Sequence, residues 1–187
     1  MTETVTFTRM ADGTVEDYAF LVRNAETHVR ATLADNILGS LKLLQGPTLG
    51  YRIDRFEHSL QTATRAMKEG ADEETVVCAL LHDVGDSIAP ENHSALAAAI
   101  LRPYVSEKNH WIILHHGVFQ GYYYFDKIGQ DRNARDAFRG HVYFDACAHF
   151  CEAWDQTSFD PDYPTEPLST FEPMVRRLFA KKPTAFV

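Results

Sequence analysis

The chain has 187 residues, 45% of them hydrophobic, and a formal net charge of −8. That is enough apolar material for a single domain, 1–187, with a buried core, while the acidic balance argues against a partner held through nucleic-acid phosphates. No apolar run approaches the ~18 residues needed to span a bilayer, and the opening MTETVTFTRMADGT has no charged segment followed by an apolar one, so a cytoplasmic protein with no membrane partner is expected.

Apolar positions recur with helical period throughout, and no sustained period-2 alternation marks a strand. Thr14 is placed to cap a helix through EDYAFLVRNAETHVRATLA, and Asp35 to begin a second, short one that Gly46-Pro47 must end. The next helix runs from about Asp54 to Glu69, carries His58 and closes at Gly70. Asp72 caps EETVVCALLHD, which stops at Gly85, and Pro90 opens ENHSALAAAILRPYV with His93 in its first turn. Ser106 caps EKNHWIILHH, for which Gly117 is the expected terminator. HVYFDACAHFCEAWD reads as a buried helix ending near Asp155, FDPDYPTEP as an irregular excursion, and FEPMVRRLFAKK as a helix with Met174, Val175, Leu178 and Phe179 on one side. The expected fold is an all-α bundle of seven to nine helices.

Six residues along these helices are of metal-ligand type: His58, the pair His82-Asp83, His93, His116 and Asp155. Four imidazoles and two carboxylates form a donor set that Fe, Mn, Co or Zn accepts, and an adjacent His-Asp pair lets the carboxylate bridge two ions while the imidazole binds one. The other histidines read as structural or surface residues. His110 lies about 600° of helix rotation before His116, His115 points about 100° away from it, His28 has no partner pattern, His141 begins a helix that its imidazole can cap, and His149, six residues before Asp155, is off that residue's face. Cys147 and Cys151, four apart, allow a redox or soft-metal pair, but with Cys78 they read more simply as small core residues.

The segments RFEHSLQTA and CALLHDVGD, followed by Asp155, resemble the HD-domain superfamily across roughly residues 50–156. The resemblance implies that His58, His82, Asp83 and Asp155 bind a first metal. In dinuclear members Asp83 would bridge, with His93 and His116 completing a second site. His116 is preferred to His115 because its distance to Tyr122 fits the family's spacing.

Two enzyme classes share this scaffold, with a metal-stabilised binding protein as a third reading. Phosphohydrolases, using Mn, Co or Mg, favour basic residues near the phosphate, whereas this chain offers Asp86 three residues past the His-Asp pair and Glu152 three before Asp155. Compact four-His, two-Asp members resemble the mixed-valent di-iron oxygenases, among them myo-inositol oxygenase and small phosphonate-cleaving enzymes, which use two Fe ions and O2 to cleave a C–C or C–P bond of a small hydroxylated substrate. There the family has a Tyr and a Glu where this chain has Thr48 and Tyr51, and basic phosphonate contacts where it has Asp86, Gln120 and Glu152. Lys108, Lys127, Arg135 or Arg139 could supply a different anion contact. Tyr51 is a candidate to cover an open metal position, in a catalytic role beside Asp83. The aromatics Tyr122, Tyr123 and Trp154, with Asp86 and Glu152, suggest a cage for an amino- or trimethylammonio-hydroxyphosphonate, or else ordinary core packing. A monomer or homodimer acting on a small molecule is expected.

Overall fold

The computed structural model describes residues 4–184 and, among them, seven α-helices and no strand. No helix among the described residues is long and apolar enough to cross a membrane. The helices are α1 Val15–Lys42, α2 Arg55–Lys68, α3 Glu73–Leu81, α4 His93–Leu101, α5 Glu107–Gln120, α6 Phe144–His149 and α7 Leu168–Ala180.

Local chemistry sets most of the boundaries. Thr14 and Asp17 form a reciprocal capping box at the start of α1. The carboxylates of Asp54 and Asp72 accept from Glu57 N and Thr75 N at the starts of α2 and α3, each at 2.8 Å, and Ser106 Oγ caps α5. Past the end of α2, Gly70 sits at φ 87°, and Ala71 N reaches back to Ala66 O while Gly70 N reaches Met67 O. That is the paired closure a left-handed residue permits, and it releases the chain toward Asp72.

The expected boundaries at Asp35, Gly117 and His141 move, and the helix expected from Phe171 begins earlier, at Leu168. The chain does not break at Asp35. That residue points outward to Arg176, 2.7 Å away, and nothing before Leu43 interrupts α1, which spans 28 residues. Gly117 does not end α5, which continues to Gln120. Instead it lets α4 approach, since a Cβ at Gly117 would lie 2.8 Å from Ser94 Oγ. The helix expected from His141 begins at Phe144 and, after His149, widens into a π-helical turn, Phe150–Asp155, where Gln156 N bonds to Cys151 O. Such a turn inserts one residue and so rotates the side chains beyond it, and π turns recur at functional sites.

α2 lies at the centre, packed on α3 and on the π turn, with His58 through Thr64 all buried. α4 packs on α5, α5 on α6, and α7 lies against α1 and α3. The irregular segment after Asp155 is tied to α2: Gln61 Nε2 donates to Asp160 O at 2.7 Å, Arg65 Nη2 to Thr157 O at 2.9 Å, and Glu166 N to Thr64 Oγ1 at 3.1 Å. On α7, Val175, Leu178 and Phe179 are buried as expected, joined by Phe171, while Met174 packs at the core's edge. All three cysteines are buried, and Cys147 and Cys151 turn their Sγ atoms toward the carbonyls of Ile112 and His116 on α5, as core residues do.

The turn after α3 is pressed against α4. A Cβ on Gly85 would stand 2.8 Å from His93 O and 3.0 Å from His93 Cα, and main chain cannot swing away as a side-chain tip can. Gly85→Ala is therefore expected to cost about 1–3 kcal/mol, lowering Tm by several degrees and displacing His93. An unchanged melt would show that the turn has room.

Candidate metal centre

The six metal-type residues converge from five places in the fold. His58 lies in the first turn of α2, His82 and Asp83 directly follow α3, His93 opens α4, His116 sits in α5, and Asp155 ends the π turn. All are buried except His93, whose side chain is 23% exposed.

Asp83 stands between two groups of donors and offers one oxygen to each. Its Oδ2 lies 3.4 Å from His58 Nε2 and 3.2 Å from His82 Nε2. Its Oδ1 lies 3.4 Å from His93 Nε2 and 3.2 Å from His116 Nε2. Asp155 Oδ1 joins the first group, 3.3 Å from His58 Nε2 and 3.7 Å from His82 Nε2. Such separations suit neighbouring ligands of one ion bound at ~2.1 Å.

The protonation pattern makes the same point independently. His58 Nδ1 donates to Ser158 O, His82 Nδ1 to Ala79 O, His93 Nδ1 to Pro90 O and His116 Nδ1 to Ile113 O, at 2.8, 2.8, 3.0 and 2.7 Å. A carbonyl only accepts, so every Nδ1 carries its proton and every neutral ring turns a bare Nε2 lone pair inward. The Nε2 atoms of His58 and His82 are 3.1 Å apart. Two lone pairs at that distance repel unless a proton or a metal ion lies among them. These buried His and Asp groups can hold metal ions, in an arrangement consistent with a dinuclear site.

Without metal, protons supply the missing positive charge. Burial drives the His82 pKa down, but Asp83 and Asp155 outweigh it and raise it to about 10. His58 is raised against burial by the same two carboxylates. Burial would push Asp83 and Asp155 up, yet the surrounding imidazoles, and Arg55 for Asp83, hold both below the usual carboxylate range.

The sequence alone does not single out Arg55. It precedes His58 by three residues, so both project from one face of α2, and that spacing is the available signal. Its Nη2 donates to Asp83 Oδ2 and its Nε to Asp86 Oδ2, the latter at 2.7 Å. Burial opposes its charge, but Asp83 and Asp86 keep it fully protonated.

A cavity of about 350 Å³ opens over the centre. Asp83, His93, His116 and Asp155 form its floor, and Tyr51, Gln120, Tyr123, Tyr124 and Phe159 its walls. Phe159 stacks on His58, and Tyr51, 52% exposed, stacks on Phe159 at 4.9 Å. Tyr51 thus stands at the mouth with a phenyl ring between it and His58. Gln120 donates from Nε2 to Asp155 Oδ1 at 3.1 Å, and because a carboxylate only accepts, its Oε1 is the free end. That oxygen is buried without a partner.

Four residues expected to bind substrate do not line the cavity. Asp86 is spent on Arg55 and on His93 Nδ1, 3.3 Å away, and so supports the centre from behind. Tyr122 cannot cage a ligand's ammonium because the guanidinium carbons of Arg135 and Arg132 already lie 3.6 and 4.3 Å from its ring centre. Trp154 is buried, and its Nε1 donates to Glu69 at 2.6 Å. Glu152 is exposed on the outer side of the π turn.

The remaining histidines are accounted for elsewhere. His115 turns from the centre to stack on Trp111, His141 stacks on the same indole at 4.2 Å, and His149 pairs with Glu69 at 2.7 Å. His28 is exposed, and His110, half-buried, has its pKa lowered by burial and by Arg102.

No curated protein matches this chain. The family model of the HD domain matches residues 55–155, from Arg55 to the last of the six donors. That match covers more than half of the sequence and all six residues, and the chain belongs to the HD-domain family, whose members are typically metal-dependent enzymes on a phosphohydrolase-like fold.

Proposed function

We propose that this protein is a dinuclear di-iron oxygenase acting on a small hydroxylated substrate, with cleavage of a C–P or C–C bond. The observation that carries the reading is the division of Asp83, one oxygen toward His58 and His82 and the other toward His93 and His116. Four imidazoles and two carboxylates suit iron, and the same set is the point of resemblance to the di-iron oxygenases. When bound, the two ions would hold the substrate hydroxyl and supply electrons for O2 reduction.

The chain's own groups do the rest. Arg55 fixes Asp83 through Oδ2, the oxygen that also faces His58 and His82, and Gln120 orients Asp155. The unpartnered Gln120 Oε1 is the acceptor that a substrate hydroxyl would satisfy. Phe159 covers His58 and limits water at that side, while the exposed Tyr51 and Tyr124 line the cavity. The volume is near the small end of ligand sites, which favours a metabolite of few atoms.

One observation favours a second reading, a metal-dependent phosphohydrolase. The repulsion expected from Asp86 and Glu152 is absent, since Arg55 neutralises the first and the second faces solvent. Among the described lining residues Arg55 is also the one Lys or Arg. The two readings separate in one experiment. Protein loaded anaerobically with iron should hold two irons per chain, give a half-integer spin signal after partial oxidation, and consume O2 with a hydroxyphosphonate or polyol. Phosphate release from phosphate esters with Mn or Co, and no O2 uptake, would replace the oxygenase by the hydrolase.

A further inference from the structure

α1 is longer than the body of the protein can cover. It runs for 28 residues, about 42 Å at 1.5 Å per residue, yet its buried residues are Ile37, Leu38 and Leu41, all near its C-terminal end. No residue from Val15 to Asn36 is buried. α1 packs chiefly against α7, and in its first turn Tyr18 meets Phe7 of the preceding segment, ring centres 5.7 Å apart and tilted. A solitary helix of this length is marginal in water, because most helical stability in proteins comes from packing an apolar face.

The exposed part carries such a face. Val15, Val22 and Val29 are 81%, 54% and 47% exposed and recur every seven residues, so they fall in one line along the helix. Asn36 continues the same register beyond Leu33 and Ala34, which already pack on the core, and Val29 lies beside a pocket shared with Tyr104 and Phe179. β-branched residues at this spacing, followed by one polar residue, make a seam that a second helix of the same kind can fill.

The charges identify that second helix. From Val15 to Arg30 the acids are Glu16, Asp17 and Glu26 and the bases Arg23 and Arg30, so the stretch opens on acids and closes on a base. An antiparallel pairing centred on Val22 sets Val15 against Val29 of the partner subunit and Val22 against Val22 of the partner subunit. It also brings the acidic first turn, with Glu16 and Asp17, beside Arg30 of the partner subunit, twice by symmetry. A parallel pairing would instead oppose the two acidic turns and crowd both bodies at one end.

We propose that α1 is a dimerisation arm, pairing antiparallel with α1 of a second copy of this chain through Val15, Val22 and Val29. The interaction is independent of the metal centre, since none of these residues lines its cavity. The seam is short, about 21 Å between its outer valines, so association belongs to the concentration-dependent class.

The test uses the full chain in sedimentation equilibrium from about 1 to 500 μM, spanning weak to moderate affinity. A mass rising toward twice 21.2 kDa is expected. Val22→Glu, at a half-exposed position that leaves the core intact, should remain at 21.2 kDa throughout with reduced helicity. Register is read by cross-linking, for which the buried native cysteines are silent. Val22→Cys should form a disulfide dimer under mild oxidation. Val15→Cys should not link to itself but should link to Val29→Cys chains when the two are mixed. A monomer at every concentration, or a dimer indifferent to Val22→Glu, overturns the proposal, and self-linking of Val15→Cys overturns the antiparallel arrangement.

Discussion

Asp83→Asn is expected to reduce the metal content of the protein from two ions per chain to one or none and to lower turnover by at least about 10³-fold. The amide keeps the shape of the carboxylate but not its charge, and it can offer only one good donor oxygen. Both donor groups use Asp83, through opposite oxygens, so a single substitution weakens both ions and removes the link between them. Its effect should exceed that of His93→Ala, which touches one group alone and acts at a partly exposed position. The surroundings make the loss worse, because Arg55 would keep Asp86 but face a neutral amide where Asp83 had stood. Metal analysis after dialysis, read beside circular dichroism to show a folded chain, is the measurement. Retention of two ions by Asp83→Asn would mean that the ions are not shared through this carboxylate.

How much of this arrangement is legible in the sequence depends on the range over which each signal acts. Caps and periodicity are local, and Thr14, Asp54, Asp72 and Ser106 each cap the helix their position announces. The boundaries that moved are those decided by tertiary contacts. Gly117 reads as a terminator when considered along the chain, but it serves the approach of Ser94 from another helix. The π turn has no local marker, since the apolar period of FCEAWD reads as a continuing α-helix. At the centre, donor identity is legible because His and Asp types announce themselves. The surroundings are not: Asp86 and Tyr122 look available until the positions of Arg55, Arg132 and Arg135 are known. A cation that cancels a carboxylate from 31 residues away leaves no trace in either segment's composition.

The metal-free protein should become less stable as pH rises from about 6.5 to 10, while the metal-loaded protein should not. The sign comes from His82. Its pKa is raised from an ordinary 6.5 to about 10 by Asp83 and Asp155 acting against burial. A group raised in this way contributes stability that is fully present below its unfolded pKa and is lost as pH climbs through the folded one. His58 is raised too and adds in the same direction. Asp83 and Asp155 are lowered, so their contribution is present above about 3.9 and disappears only in acid, outside this window. Metal replaces the protons held at His58 and His82 and removes the dependence. Melts of the metal-free chain at pH 6.5 and 9.5 should therefore differ by about 5 °C or more, with the lower Tm at the higher pH. Titration of metal near pH 7.5, repeated in buffers of different ionisation enthalpy, should release at least one proton per chain. A flat metal-free melt with no proton release would mean that the cluster is already neutral without metal. The repulsion between the His58 and His82 nitrogens would then have to be relieved by moving the rings apart, and the preformed centre described here would exist only once metal had arrived.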